Sequence, residues 1–118
     1  MYSRAEDLVL WGRALFGGEF LDAAVTAEML DFRSTDGSFT IPGIGVQDGS
    51  GLGVRHYTMN GRSYYRHSGA SFGASTELLF DPETGTVTAV IVNQNPGTHD
   101  FVHFRAALAL MEMALAGG

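Results

Sequence analysis

The sequence predicts an α+β fold: an antiparallel sheet of three to four strands, two helices ahead of it, and one C-terminal helix packed on it. Three observations carry this. Apolar residues recur at helical spacing only near the two ends of the chain. Between residues 52 and 93, short apolar runs alternate with turn signals, the strongest being Asn60-Gly61. At 118 residues the chain is long enough for one modest core, so residues 1–118 read as a single domain.

The first helix opens where Ser3 can cap it, with Glu6 three residues on as the capping-box partner. Leu8, Trp11 and Leu15 then form one apolar stripe, and Gly17-Gly18 supplies the left-handed exit. A second helix starts after Asp22 as N-cap and runs to about Asp31, with Val25 and Met29 on its buried side. Residues 33–51 are rich in Gly, Ser and Asp and contain a proline. They read as a long loop, with a short strand near residues 39–41.

Residues 52–58 and 62–67 read as two strands joined at Asn60-Gly61, since both residues tolerate the positive φ of a type I′ turn. Residues 75–81 form a third strand, with Thr76, Leu78 and Phe80 on one face. The turn Asp81-Pro82-Glu83-Thr84-Gly85 follows. Residues 86–93 form a fourth strand. It is apolar on both faces, as a central, covered strand is. Pro96-Gly97 breaks the chain before a helix over about residues 100–115, striped by Phe101, Phe104, Leu108, Met111 and Leu115.

Composition excludes several functions. Net charge is -6, so there is no basic footprint for nucleic acid. No apolar run is long enough to span a bilayer, and Glu6 and Asp7 interrupt any signal-peptide pattern. Cysteine is absent, which removes disulfides, thiolate metal sites and a Cys nucleophile and leaves the compartment open. All seven basic residues are arginine, so a Schiff-base lysine, a P-loop and a Ser-Lys catalytic pair are impossible within this chain. No cofactor is called for.

The segment of most interest is His67-Ser68-Gly69-Ala70-Ser71-Phe72-Gly73, which follows one strand and opens into the next. Its small residues let another group approach the backbone closely. Spacing alone equally allows a Gly-rich connection without chemistry. His99 and His103 stand four apart, a metal-ligand spacing, but no third ligand is evident and a solvated or partly packed pair is preferred. Ser68, His67 and Asp100 form a Ser-His-Asp set on paper, though no nucleophile-elbow sequence accompanies them. Tyr57, Tyr64 and Tyr65 offer either a binding face or ordinary strand packing, and packing is preferred. Asn93 and Asn95 end a strand beside the segment, suited to a ligand or to local turn bonding.

Taken in series, these motifs resemble one family. The run HSGASFGASTELLFDPETGTVTAVIVNQN, residues 67–95, resembles the third signature element of the class C β-lactamase, penicillin-binding-protein and esterase superfamily of serine hydrolases. There a Lys-Thr-Gly, or a His-Ser-Gly or His-Thr-Gly variant, precedes a strand, an acidic-Pro-x-x-Gly turn and a second apolar strand. Ser3 to Asp7 and residues 11–20 resemble the family's S-x-x-D-L helix and its Gly-Gly exit, and Leu52-Gly53-Val54 its G-L-G strand start. Residues 33–51 match least.

The resemblance implies an incomplete β-lactamase/transpeptidase-like fold, the C-terminal portion of a hydrolase that attacks an ester or amide through an acyl-serine. Peptidoglycan peptides and β-lactam-like compounds are among the substrates of such enzymes. His67 in place of the usual Lys points to an esterase-like or carboxypeptidase-like parent. The resemblance implies that His67, Ser68 and Gly69 face substrate, that Asn93 and Asn95 approach it, and that the Ala70 backbone N–H is an oxyanion-hole donor. The family's Ser-x-x-Lys and Tyr-x-Asn elements are missing, and with them the attacking hydroxyl and its activating amine. The expected partner is therefore the N-terminal half of the parent or a complementary chain, which would also bring two further strands and a helical domain. The alternative is a non-catalytic interaction module that kept the sheet and pairs through a bare edge. Exposed apolar surface also predicts self-association.

Overall fold

The computed structural model describes residues 2–41, 44–94 and 101–117. Three helices and six strands follow in the order α1 (Ala5–Phe16), α2 (Ala23–Met29), β1 (Arg33–Ile41), β2 (Gly45–Ser50), β3 (Arg55–Met59), β4 (Arg62–Ser71), β5 (Ala74–Phe80), β6 (Val87–Val92) and α3 (Val102–Gly117). The strands form one antiparallel meander in chain order, β1-β2-β3-β4-β5-β6. The α+β class and the C-terminal helix are as expected; the strand count is higher.

The two extra strands come from residues 33–51, expected to be a loop. Gly45 and Gly49 read as turn residues, but they are present for clearance rather than for turning. A Cβ on Gly45 would lie 2.5 Å from the Thr58 carbonyl oxygen, and one on Gly49 would lie 3.0 Å from the Phe32 Cβ. The β1–β2 pairing also shifts register between Ser34 and Phe39, and Asp36 has a φ of 52°. Such a bulge breaks the alternation by which a strand is recognised.

Side-chain alternation sends successive residues to opposite faces of the sheet, and each face has its own core. On one, Tyr57, Met59, Tyr64 and Leu79 pack against Phe104, Ala107, Leu108 and Met111 of α3. On the other, Val54, Leu78 and Phe80 pack against Phe16 of α1 and Met29 of α2. The stripe of α3 is the predicted one, and Tyr57 and Tyr64 are core residues. The stripe of α1 is rotated: Gly12 and Phe16 are buried while Trp11 is 45% exposed. Gly12 lets α1 approach the sheet, since a Cβ there would sit 3.1 Å from both Leu78 and Val87 side chains.

Local signals held with small shifts. The N-cap of α1 is Arg4 rather than Ser3, and the Asp7 carboxylate, not Glu6, accepts from the Arg4 N–H at 3.1 Å. Asp22 caps α2 by accepting from the Val25 N–H at 2.9 Å, but Val25 is exposed and α2 stops at Met29. Asn60 and Gly61 take φ of 50° and 75°, as a type I′ turn requires. In the turn after β5, the buried Asp81 carboxylate accepts from Arg62 at 2.6 Å, from the Thr84 hydroxyl at 2.6 Å and from the Glu83 N–H at 3.1 Å. Desolvation would raise the Asp81 pKa, but these hydrogen bonds and the Arg62 charge outweigh it and hold the carboxyl below the usual range.

β6 is covered on both faces, as its sequence required: Val87 and Ala89 pack on the α1 side and Val90 on the α3 side. It is not central. Among the described residues it pairs only with β5.

Candidate functional site

Residues 67–73 are not a connection between strands. Residues 67–71 are the second half of β4 and pair with β5: His67 with Leu78, Ser68 with Glu77, Gly69 with Thr76, Ala70 with Ser75, Ser71 with Ala74. Phe72-Gly73 makes the tight turn between the strands, with Phe72 fully exposed.

The direction of the backbone groups follows from one hydrogen bond at the end of β5 and the alternation of an antiparallel ladder. The Asp81 N–H donates to the Thr86 carbonyl at 2.9 Å, so odd residues of β5 bond toward β6 and even residues toward β4. The β4 residues opposite even β5 positions, His67, Gly69 and Ser71, therefore bond to β5. Ser68 and Ala70 turn their N–H groups to the other edge. There β3 has already ended, because its first residue, Arg55, lies opposite Arg66. Beyond Arg66, β4 presents an open edge among the described residues. Ala70 and Gly69 are exposed, and a Cβ on Gly69 would meet nothing within 4 Å.

The His67 side chain and the Cα of Gly69 face the α1 side. They line an open-mouthed cavity of about 480 Å³ with Trp11 and Phe16 of α1, Thr76 and Leu78 of β5, and Gly53. His67 is exposed at the mouth of this cavity; partial desolvation there lowers its pKa, and the charges of Arg55 and Arg66 lower it further. Neutral imidazole is thus the form at pH 7, one nitrogen donating and the other accepting.

Behind Ser68, on the α3 side, lies a buried ion pair. Arg66 donates to Glu77 through Nε at 2.7 Å and Nη2 at 2.8 Å, and through Nη1 to the Gln47 side chain at 3.3 Å. Its guanidinium stacks 4.7 Å over the Phe104 ring. Burial pushes the Glu77 pKa up, opposed by the two Arg66 bonds. His103 Nε2 stands 3.7 Å from the Glu77 carboxylate, and burial, then the Arg66 charge, lowers the His103 pKa. Sequence reading missed this pair. The signal was available: once Phe72-Gly73 is the turn, Arg66 and Glu77 become diagonal cross-strand neighbours. A second polar cluster, also missed, joins β2 to β3. Asp48 Oδ1 lies 2.6 Å from His56 Nδ1, and Asp48 Oδ2 accepts from the Thr58 hydroxyl at 2.7 Å. Desolvation works to raise the Asp48 pKa, but the bonds from His56 and Thr58 leave it lowered.

Asn93 follows β6 at the same end of the sheet as Ala70, since Ala70 pairs with Ser75 and Ser75 with Val92. Two strand spacings put it about 10 Å from Ala70. The neighbouring Gln94 carbonyl accepts from the Ser75 hydroxyl at 2.9 Å. Asn95, His99 and Asp100 lie outside the described residues. Their expected roles in binding, metal ligation and the paper triad have no structural description. The His103 side chain is 12% exposed beside Glu77, in keeping with a partly packed histidine. Among the described residues no three His, Cys, Asp or Glu side chains converge as a metal-ligand set, and no helix is long and apolar enough to cross a membrane.

Known proteins share this fold. No curated protein matches the chain. A D-amino acid amidase from Ochrobactrum anthropi SV3, complexed with D-phenylalanine, is similar in structure with a TM-score of 0.69 at 24% identity, over 98% of this chain and 36% of that one. The same amidase complexed with L-phenylalanine gives a TM-score of 0.74 at 23% identity, over 98% and 32%. A penicillin-binding protein from Bacillus halodurans gives 0.62 at 23%, over 93% and 30%. The chain thus spans about a third of the length of these proteins, and the likeness at this identity is one of fold. Residues 1–111 match the family described as Beta-lactamase. With nearly its whole length inside that match, the chain belongs to the beta-lactamase family of serine hydrolases.

Proposed function

We propose that residues 67–70 form one wall of an acyl-transfer site, and that the chain is the C-terminal portion of a hydrolase whose nucleophile is encoded elsewhere. The observation that carries this is the free half of β4. There the Ala70 N–H points off the sheet edge beside the His67 cavity, where the family places an oxyanion-hole donor. In this reading the Ala70 N–H binds the carbonyl oxygen as it gains charge. Ser68 and Gly69 line the acyl group, neutral His67 positions the substrate or leaving group by hydrogen bonding, and Asn93 and Asn95 border the far side. The bond made and broken is an ester or amide of a small acyl donor. The D-amino acid amidase supports an amino-acid amide, and the penicillin-binding protein a penicillin-like acyl donor.

Without a lysine there is no Ser-x-x-Lys, and no Tyr-x-Asn occurs. One wall lacking nucleophile and base does not turn over substrate. The N-terminal half of the parent, or a complementary chain, supplies both. The experiment is p-nitrophenyl acetate hydrolysis by the purified chain. The expected result is no burst and no saturable rate above buffer. Saturable turnover abolished by Ser68→Ala overturns the proposal, because the site would then be complete. The second reading, a non-catalytic module, draws on the edge of β6, which has no strand beyond it among the described residues.

A further inference from the structure

The first turn of α3 docks on the buried ion pair. Both Glu77 oxygens are taken by the Arg66 guanidinium, which lies over the Phe104 ring. The neighbouring His103 stands beside the same carboxylate, its Nε2 3.7 Å away. Its other ring nitrogen, Nδ1, is buried with no hydrogen-bond partner among the described residues. A neutral imidazole is accommodated in this place, and an imidazolium is not. Packing strips the ring of most of its water, which disfavours the charged form. Arg66 stays charged and already holds both oxygens, so a second cation would share a partner instead of gaining one. His103 is the second residue of α3, where the positive end of the helix dipole opposes a cation. Protonation also makes both ring nitrogens donors and leaves a buried N–H at Nδ1 without an acceptor.

We propose that His103 is a pH-sensitive latch. Neutral, it lets residues 101–103 dock beside the Arg66–Glu77 pair; protonated, it lifts that turn off the sheet and carries its charge to water. The other groups facing the turn do not offset the charge. β4 brings Arg66 and Tyr64, β3 brings Tyr57 and Arg55, and β5 brings Glu77. β6 has no titratable side chain. On α3 itself Arg105 adds a cation, and Glu112 lies about 2.5 turns further along. The turn is also poised to lift. Phe101, directly before it, has a φ of 46°, a left-handed conformation that a bulky residue keeps only under packing. The sign follows from desolvation. Burial, then the Arg66 charge, lowers the His103 pKa from the ordinary histidine value of 6.5, so the folded chain binds fewer protons than the unfolded one just below that pH. The turn is therefore fully held above about 6.5 and progressively released as pH falls. Ser68 lies opposite Glu77, so the latch sits behind the proposed wall, but it follows from α3 packing and is independent of the acyl-transfer reading.

The test uses the intact chain and two amides as reporters. The Arg105 N–H donates to the Phe101 carbonyl at 2.9 Å and closes the turn, whereas the Leu8 N–H donates to the Arg4 carbonyl at 3.2 Å in α1. Between about pH 7.5 and about pH 5, hydrogen exchange corrected for the intrinsic effect of pH should show Arg105 losing at least about threefold in protection while Leu8 keeps its own. By NMR the His103 ring protons should titrate below the ordinary histidine range, with the midpoint of the Arg105 loss. In His103→Gln, which is neutral throughout, Arg105 should be equally protected at both ends of the range. Flat protection at Arg105 in the unaltered chain overturns the latch, as does an equal loss at Leu8 or a His103 ring that titrates in or above the ordinary range. A pH dependence that survives His103→Gln belongs to another group, such as Glu77, His99 or Asp100, and overturns it too. Exchange and ring titration are read on the unaltered chain, so a variant that fails to fold does not shield the proposal.

Discussion

Glu77 is fully buried in the middle of β5, and its charge is tolerated because Arg66 meets it with two short bonds. The pair is surrounded by the rings of Phe104 and Tyr57, so neither ion has water to fall back on. The two ions then stand or fall together. Removing one leaves the other buried without a counter-charge, which costs about 3–5 kcal/mol, whereas replacing both by apolar groups of similar size is close to neutral. Glu77→Leu should therefore lower unfolding free energy by about 3–5 kcal/mol. The double variant Arg66→Met with Glu77→Leu should recover most of that loss in the same urea titration. Additive losses in the double variant would mean the side chains act separately and the close geometry has no energetic meaning. Ser68 sits opposite Glu77 on the same face, so this pair also stiffens the strand that holds the proposed site.

At the scale of elements, close approach explains both what could be read from the sequence and what could not. The Asn60-Gly61 hairpin, the Asp22 cap and the α3 stripe were legible because each is a local rule, a fixed φ or a fixed period. The strands β1 and β2 were not. Their glycines read as turn residues, while in the fold Gly45 and Gly49 make room for Thr58, Phe32 and His56 from neighbouring segments. Gly12 in α1 is the same case within a helix. Alanine there would gain about 1 kcal/mol of helix propensity, but its methyl would press on Leu78 and Val87 at 3.1 Å. Gly12→Ala should consequently change stability little. Gly12→Val, with two more carbons in the same gap, should cost about 1–3 kcal/mol by thermal or denaturant unfolding. A stabilising Gly12→Val would show that the helix has room to move away from the sheet.

For the molecule as a whole, one sheet carries two cores, and the candidate site lies where the sheet runs past them. The segment proposed as the site was singled out in the sequence by its small residues and by the resemblance of residues 67–95 to a family element. Its placement on a half-paired strand was not legible, because that depends on where β3 stops, and nothing local marks Arg55 as the end. The same sheet makes the two faces report on each other. Phe104 of α3 is fully buried against Tyr57, their ring centroids 4.9 Å apart, while the single tryptophan, Trp11, lies on the opposite face against Phe20. Among the described residues the two faces meet across the sheet backbone, where Leu79 points to one and Leu78 and Phe80 to the other. If the sheet cannot persist with one face stripped, the chain unfolds as one unit. Phe104→Ala should then cost about 3–5 kcal/mol and shift the Trp11 fluorescence midpoint by as much as the circular dichroism midpoint. An unmoved Trp11 transition beside a shifted dichroism curve would instead show that α1 and its half of the core hold the strands without α3.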